Sequence, residues 1–168
     1  MSDFFASKLG VRGGGKPEQE NPLSWSELLA GDAPRTAEGW SVPEAFLAVL
    51  LAAVTCDGEL AAAEREELVA LAHRSRALKS LSPAQLGELN ALVAARMNES
   101  DAALADACAA LPEDMRLSVF AHALDLVLAD GELNVGEADF LNGLILNLKL
   151  DRDGVSRVAD VISLKNRF

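Results

Sequence analysis

Tyrosine is absent from this chain of 168 residues, and aromatic residues make up only 5% of it although 50% is hydrophobic. A core built on a few aromatic anchors is thereby excluded. Ala and Leu have to fill the interior instead. Both keep most of their freedom in a helix, and β-branched residues are sparse, so composition points to an all-α fold with many small helix–helix contacts.

Positive charge is also scarce: 15 Lys and Arg stand against 26 Asp and Glu, for a formal net charge of −11. A nucleic-acid binder needs a basic footprint to neutralise phosphates, and no Lys/Arg stripe is present, so nucleic acid is excluded as a partner. An anionic membrane surface would repel the chain for the same reason. An acidic surface suits divalent cations or basic protein partners, or serves solubility alone.

Long apolar runs are missing too. The longest uncharged one, Ala45 to Cys56, falls well short of the ~20 residues a membrane-spanning helix requires, so no membrane insertion is expected. Met1 to Gly10 lacks a basic stretch followed by an apolar one, so no secretory signal is expected. The two cysteines, Cys56 and Cys108, are too few for a disulfide framework. Each sits in an Ala-rich segment, where a free Cys behaves as a small buried hydrophobe. These readings together point to the cytoplasm.

What is present divides at residue 40. Residues 1–40 read as a flexible N-terminal tail and strap. Phe4, Phe5 and Leu9 can line a short amphipathic turn, and Gly13-Gly14-Gly15-Lys16-Pro17 breaks it. Pro22, Gly31, Pro34 and Gly39 keep interrupting the chain, with one short helix expected at Trp25 to Ala30 that lays Trp25 on the body. The glycine run has no preceding strand and no Gly-Lys-Ser/Thr ending, so it is not a phosphate loop.

Residues 41–168 read as a compact bundle of about seven helices. Ser41-Val42-Pro43-Glu44 is a capping box with proline in the first turn, and Ser82-Pro83-Ala84-Gln85 repeats the device. Asn134 stands three residues before Glu137, and Asp151 can cap a final helix carrying Val155, Val158, Val161 and Ile162. The expected helices run over about 41–56, 62–75, 82–97, 101–110, 113–129, 134–148 and from 151 onward. Leu86, Leu89, Leu92 and Val93 form one apolar stripe. Phe46 to Val54, and Leu117 to Leu128, are apolar all round. Those two helices belong in the centre, with the amphipathic ones around them.

The two central helices also lead into the same motif. Cys56-Asp57-Gly58-Glu59-Leu60, followed by Glu64 and Leu68, recurs as Ala129-Asp130-Gly131-Glu132-Leu133, followed by Glu137 and Leu141, at one constant offset. Each copy is an apolar helix, an acidic turn and a second amphipathic helix, so the bundle divides into two pseudo-symmetric halves that can bring both turns to one face. Part of the motif is explained by structure alone. Gly58 and Gly131 suit a helix end, Leu60 and Leu133 can anchor the turn, and Glu64 and Glu137 suit the positive end of the next helix. Asp57, Glu59, Asp130 and Glu132 are not required by that account.

Asp130 to Asn134 with Glu137 matches the second half of an EF-hand loop, but the first half fails. Positions one and three would be Leu126 and Leu128 in this copy and Ala53 and Thr55 in the other. A divalent ion can still be held where the two turns meet. The candidate ligands are Asp57, Glu59, Glu64, Asp130, Glu132 and Glu137, supplemented by backbone carbonyls and water, with calcium, manganese and zinc as candidate ions. His122 and Asp125, one helical turn apart before Asp130, are further candidates.

The apolar helix, Asp-Gly-Glu-Leu and Glu four residues on, given twice, resembles the TerB tellurite-resistance family and the wider TerB-like domains. The resemblance covers roughly Ser41 to Leu164. The copy at Asp130 is the more typical; in the first, Ala61 stands where a capping Ser or Thr is usual. The resemblance implies a pseudo-symmetric helical bundle with an acidic metal-binding surface cluster. It also implies a role in tellurite resistance and chemical-stress response, and a protein partner in a membrane-associated metal-sensing complex at the inner face of the membrane. Related domains fused to J-domains act as co-chaperones, but this chain has no His-Pro-Asp.

No enzyme is expected. His73 and His122 sit in no triad motif, Cys56 lies beside Asp57, which dulls a thiol, and the paired carboxylates lie on turns and not in an apolar cleft. The reading is a metal-binding stress-response module. The alternative is an acidic helical scaffold that docks a basic protein partner without metal, with Phe4, Phe5 and Trp25 adding a second contact.

Overall fold

A computed structural model describes residues 39–56, 75, 77–129 and 133–166, and among them helix is the only regular structure. In chain order the helices are α1 (Val42–Val54), α2 (Pro83–Glu99), α3 (Ala103–Ala110), α4 (Glu113–Val127), α5 (Val135–Asn147) and α6 (Arg152–Lys165). The expected helix over about 62–75 lies outside the described residues, as does the tail up to residue 38.

Each expected cap forms, and each satisfies backbone groups that the first helical turn leaves unpaired. The Ser41 hydroxyl accepts from the Glu44 amide at 3.4 Å, and the Glu44 carboxylate accepts from the Ser41 amide at 2.7 Å. Ser82 and Gln85 make the same reciprocal pair at 3.3 and 2.9 Å. Asp151 accepts from the Gly154 amide at 2.7 Å.

That last bond is the main cause holding the Asp151 carboxyl below its ordinary value of 3.8. Because the folded pKa lies below that of the unfolded chain, the cap stabilises fully above the unfolded value. Its contribution fades as pH falls through the folded one. The melting-temperature gap between wild type and Asp151→Ala is therefore expected to be widest above about pH 5 and to close on acidification.

α1 is the hub. It packs against α2, α3 and α4, while α4 packs also against α5 and α6. Ala45, Phe46, Leu47, Ala48, Val49 and Leu50 are all buried, as a helix apolar on every side must be when neighbours enclose it. α4 splits its apolar surface. Val119, Phe120, Ala123, Leu124 and Val127 are buried, while Leu117 approaches α6, its Cδ2 lying 3.3 Å from where a side chain would start at Gly154. Ala103, Ala107 and Cys108 of α3 join the same core. Burial pushes the Cys108 thiol up to about 12, partly opposed by Arg116, so it behaves as the small hydrophobe its setting predicts.

Two apolar stripes are narrower than the sequence implies. On α2, Leu86 and Val93 are buried, but Leu92 remains 47% exposed. Leu92 falls on the line of Gln85 and Glu88, three and seven residues apart, not on the core-facing line of Leu86 and Val93. On α6, Val155 is buried and Val158 and Ile162 pack on the core, whereas Val161 faces solvent.

The helical body also takes in residues just before α1. Trp40 is buried, with the Arg96 guanidinium 3.9 Å above its ring, a cation–π contact. Arg96 further donates to the Gly39 carbonyl at 3.0 Å and pairs with Glu44 at 3.3 Å.

Between α5 and α6 the chain turns through Lys149, whose φ is +55°. The Lys149 amide reaches the Leu146 carbonyl at 3.1 Å and the Leu150 amide the Ile145 carbonyl at 3.1 Å, the bonding pattern of a Schellman motif with a left-handed residue at its centre. Glycine adopts that conformation without Cβ strain, which costs other L-residues about 1–2 kcal/mol. Lys149→Gly is expected to raise unfolding free energy by up to about 1 kcal/mol in urea denaturation, the gain reduced by the freer unfolded chain.

Candidate functional site: where the two acidic turns begin and end

The first acidic turn leaves from the end of α1. There the Thr55 hydroxyl donates to the Leu51 carbonyl at 2.9 Å and the Cys56 thiol to the Ala53 carbonyl at 3.1 Å. Both side chains fold back on the last turn of α1, which closes the helix one residue before Asp57. The second turn leaves from the end of α4, where the Ala129 amide bonds the Leu126 carbonyl at 3.2 Å, one residue before Asp130.

α5 receives the chain after the second turn through a capping box. The Asn134 side chain accepts from the Glu137 amide at 2.9 Å, and Glu137 Oε2 accepts from the Asn134 amide at 2.7 Å. Glu137 is 8% exposed. Its carboxylate therefore sits at the positive end of α5, where the helix dipole and two reciprocal bonds hold it.

The end of α1 and the start of α5 come together. A side chain built on Gly136 would begin 3.9 Å from the Cys56 carbonyl oxygen and 3.3 Å from Asn134 Oδ1. The residue before Asp57 and the first turn of the helix after Glu132 thus share one end of the bundle. No local sequence signal announced it: a side chain at 136 would meet the Cys56 carbonyl at an ordinary contact distance, so the approach does not require the glycine.

Of the candidate ligands, Glu137 is among the described residues; Asp57, Glu59, Glu64, Asp130 and Glu132 lie outside them, as do Gly58, Leu60 and Gly131. Leu133, expected as an anchor, keeps 37% exposure. Among the described residues no three His, Cys, Asp or Glu side chains gather closely enough to hold an ion.

The further candidates His122 and Asp125 serve elsewhere. The His122 ring meets Phe46 edge to face, with centroids 5.5 Å apart and planes at 86°, and burial holds its pKa below the ordinary value, against the pull of Asp125. Asp125 accepts from Lys165 Nζ at 2.7 Å and from Asn166 at 3.1 Å, tying α4 to the end of α6.

Among the described residues, the oxygens beside the turns are the Cys56 carbonyl and the Glu137 carboxylate. The nearby thiol is bonded within α1 and His122 is packed on Phe46. Oxygen donors of this kind suit hard cations such as calcium or manganese, whereas zinc sites draw on His and Cys.

Neither the curated proteins nor the solved structures give a match to this chain. The family model for tellurite resistance protein TerB matches residues 43–160. That stretch runs from the first turn of α1 to within α6 and spans both acidic turns. TerB is a helical fold and not a known enzyme family. The all-helical bundle and the match over most of its length agree, and the chain belongs to the TerB family of tellurite resistance proteins.

Proposed function

We propose that this protein is a non-enzymatic stress-response module that binds a divalent cation where its two Asp-Gly-Glu-Leu turns come together. The observation that carries the reading is the approach of the Cys56 carbonyl to Gly136 at the start of α5. It puts the entry to one acidic turn beside the exit of the other. Each turn with its following helix contributes three carboxylates, and calcium takes six to eight oxygens. Two turns and neighbouring carbonyls supply such a set where one turn does not.

In this reading Asp57, Glu59, Asp130 and Glu132 face the ion. Glu137 holds the start of α5 through Oε2 and offers its other oxygen. The cation would offset the mutual repulsion of the carboxylates, so metal occupancy stiffens the two turns relative to each other. A protein partner would then read that surface. Among the described residues no helix is long and apolar enough to cross a membrane, so association with a membrane complex would run through such a partner.

The test is calorimetric titration of metal-free protein with calcium, manganese and zinc, beside the double variant Asp57→Asn/Asp130→Asn. Saturable binding in the wild type that disappears in the variant is expected. A wild type that takes up none of the three ions sinks the metal reading and leaves the acidic turns as a docking surface.

A further inference from the structure

Between the start of α1 and one flank of α2 lies an open, largely apolar groove of about 350 Å³. Ser41 and Pro43 line it at the start of α1, with Leu81 and with Gln85, Glu88, Leu89 and Leu92 of α2. It is where the expected α2 stripe fails: Leu92, 47% exposed, looks into it instead of into the core. The groove is far from the acidic turns in sequence and serves none of the chemistry above.

We propose that this groove is filled by the chain's own segment Leu23 to Leu29. The first argument is where the preceding chain ends. Residues up to 38 lead into Gly39, whose carbonyl is pinned by Arg96 at 3.0 Å while Trp40 lies under the same guanidinium. Arg96 is on α2, one helical turn beyond Leu92, roughly 6 Å along the axis. Gly39 has a φ of +79°, a left-handed turn at the point where the chain joins the body.

The second argument is the sequence of the segment. Ser24 and Glu27 stand as a capping box, Leu23 and Leu28 occupy the positions of a hydrophobic staple, and Gly31 follows as a stop. Trp25, Leu28 and Leu29 recur at the spacing that puts side chains on one helical face, the pattern of a helix laid in a groove. The intervening Asp32 to Glu38 contains no large apolar residue. Ten residues reach up to about 35 Å, ample for Leu29 to lie over Leu92 or Leu89.

The third argument is size. A stable contact between two copies needs roughly 800 Å² on each, more than this groove offers. A tethered segment binds at an effective concentration in the ~mM range and needs far less area. The same scaling disfavours Phe4 and Phe5, which hang on a much longer, glycine-rich tether.

Methyl-labelled full-length protein tests the proposal by nuclear magnetic resonance. Nuclear Overhauser contacts from the Trp25 indole to the Leu89 and Leu92 methyls are expected. In Trp25→Ala those two methyls should shift and become more accessible to a soluble paramagnetic probe, while the Leu47 and Leu50 methyls stay put. Leu92→Ser, a surface change, should shift the Trp25 indole N–H resonance, resolved from that of Trp40, without loss of helical circular dichroism. Unchanged Leu89 and Leu92 methyls in Trp25→Ala overturn the proposal. So do contacts that arise from Phe4 or Phe5, or that appear only between differently labelled molecules.

Discussion

Phe120→Ala is expected to lower the free energy of unfolding by about 3–5 kcal/mol, the cost of emptying a buried aromatic site. Phe120 has 0% exposure and belongs to α4, which packs on α1, α5 and α6. Two terms add. The lost ring forfeits its transfer free energy, and the void strips contacts from side chains that helices on several sides hold in place. The site has little freedom to collapse, because α4 is packed by three helices and α1 among them is itself held by α2 and α3.

The internal repeat deepens that prediction. The register that aligns Asp57 with Asp130 also aligns Leu47 with Phe120, and both are among the largest fully buried side chains. Leu47→Ala should therefore be the other severe core variant, at roughly 2–5 kcal/mol. Val161→Ala, on the exposed side of α6, is the control and should stay within about 0.5 kcal/mol. In urea denaturation, a Phe120→Ala midpoint no lower than that of Val161→Ala would show that α4 is not the core element described here.

How much of this was legible in the sequence follows from which signals are local. Helix starts were legible because a cap is written in four consecutive residues. Ser41 with Glu44, Ser82 with Gln85, Asn134 with Glu137, and Asp151 all bond as their spacing implies. The centrality of α1 was legible because no polar face was available to turn outward. Which of two adjacent apolar lines faces the core was not: Leu92 and Val93 are neighbours in sequence, and only the packing partner decides between them. Trp40 is a related case. Arg96, more than fifty residues away, lies over its ring, and no local pattern announces such a contact. The site divides in the same way. The acidic turns were plain as a repeat, but the meeting of Cys56 with Gly136 is a tertiary fact, and His122 and Asp125 looked available only until Phe46, Lys165 and Asn166 claimed them.

On the proposed function, Glu137→Gln is expected to weaken divalent-cation binding by roughly 10- to 100-fold, the range typical of losing the groups that support a metal's ligands, while leaving the fold nearly untouched. The separation of the two effects rests on this chain's own precedent. Gln85 occupies the same position in its capping box as Glu137 does in the last one, and its amide oxygen accepts from the Ser82 backbone at 2.9 Å. Glutamine at 137 can therefore keep the bond to the Asn134 amide and the shape of the buried side chain. What it gives up is the formal charge at the start of α5, worth at most about 1 kcal/mol to the helix dipole. Glu137→Ala removes the cap bond as well and leaves the Asn134 amide without its partner, a further loss of about 1–2 kcal/mol. The pair distinguishes two roles by direction. Should both variants melt early and both bind the ion as the wild type does, Glu137 is a cap alone, and the cation site must be built without it. A Gln variant that melts near the wild type yet binds weakly places the carboxylate at the ion, because the substitution keeps the cap bond and removes the charge and the second oxygen.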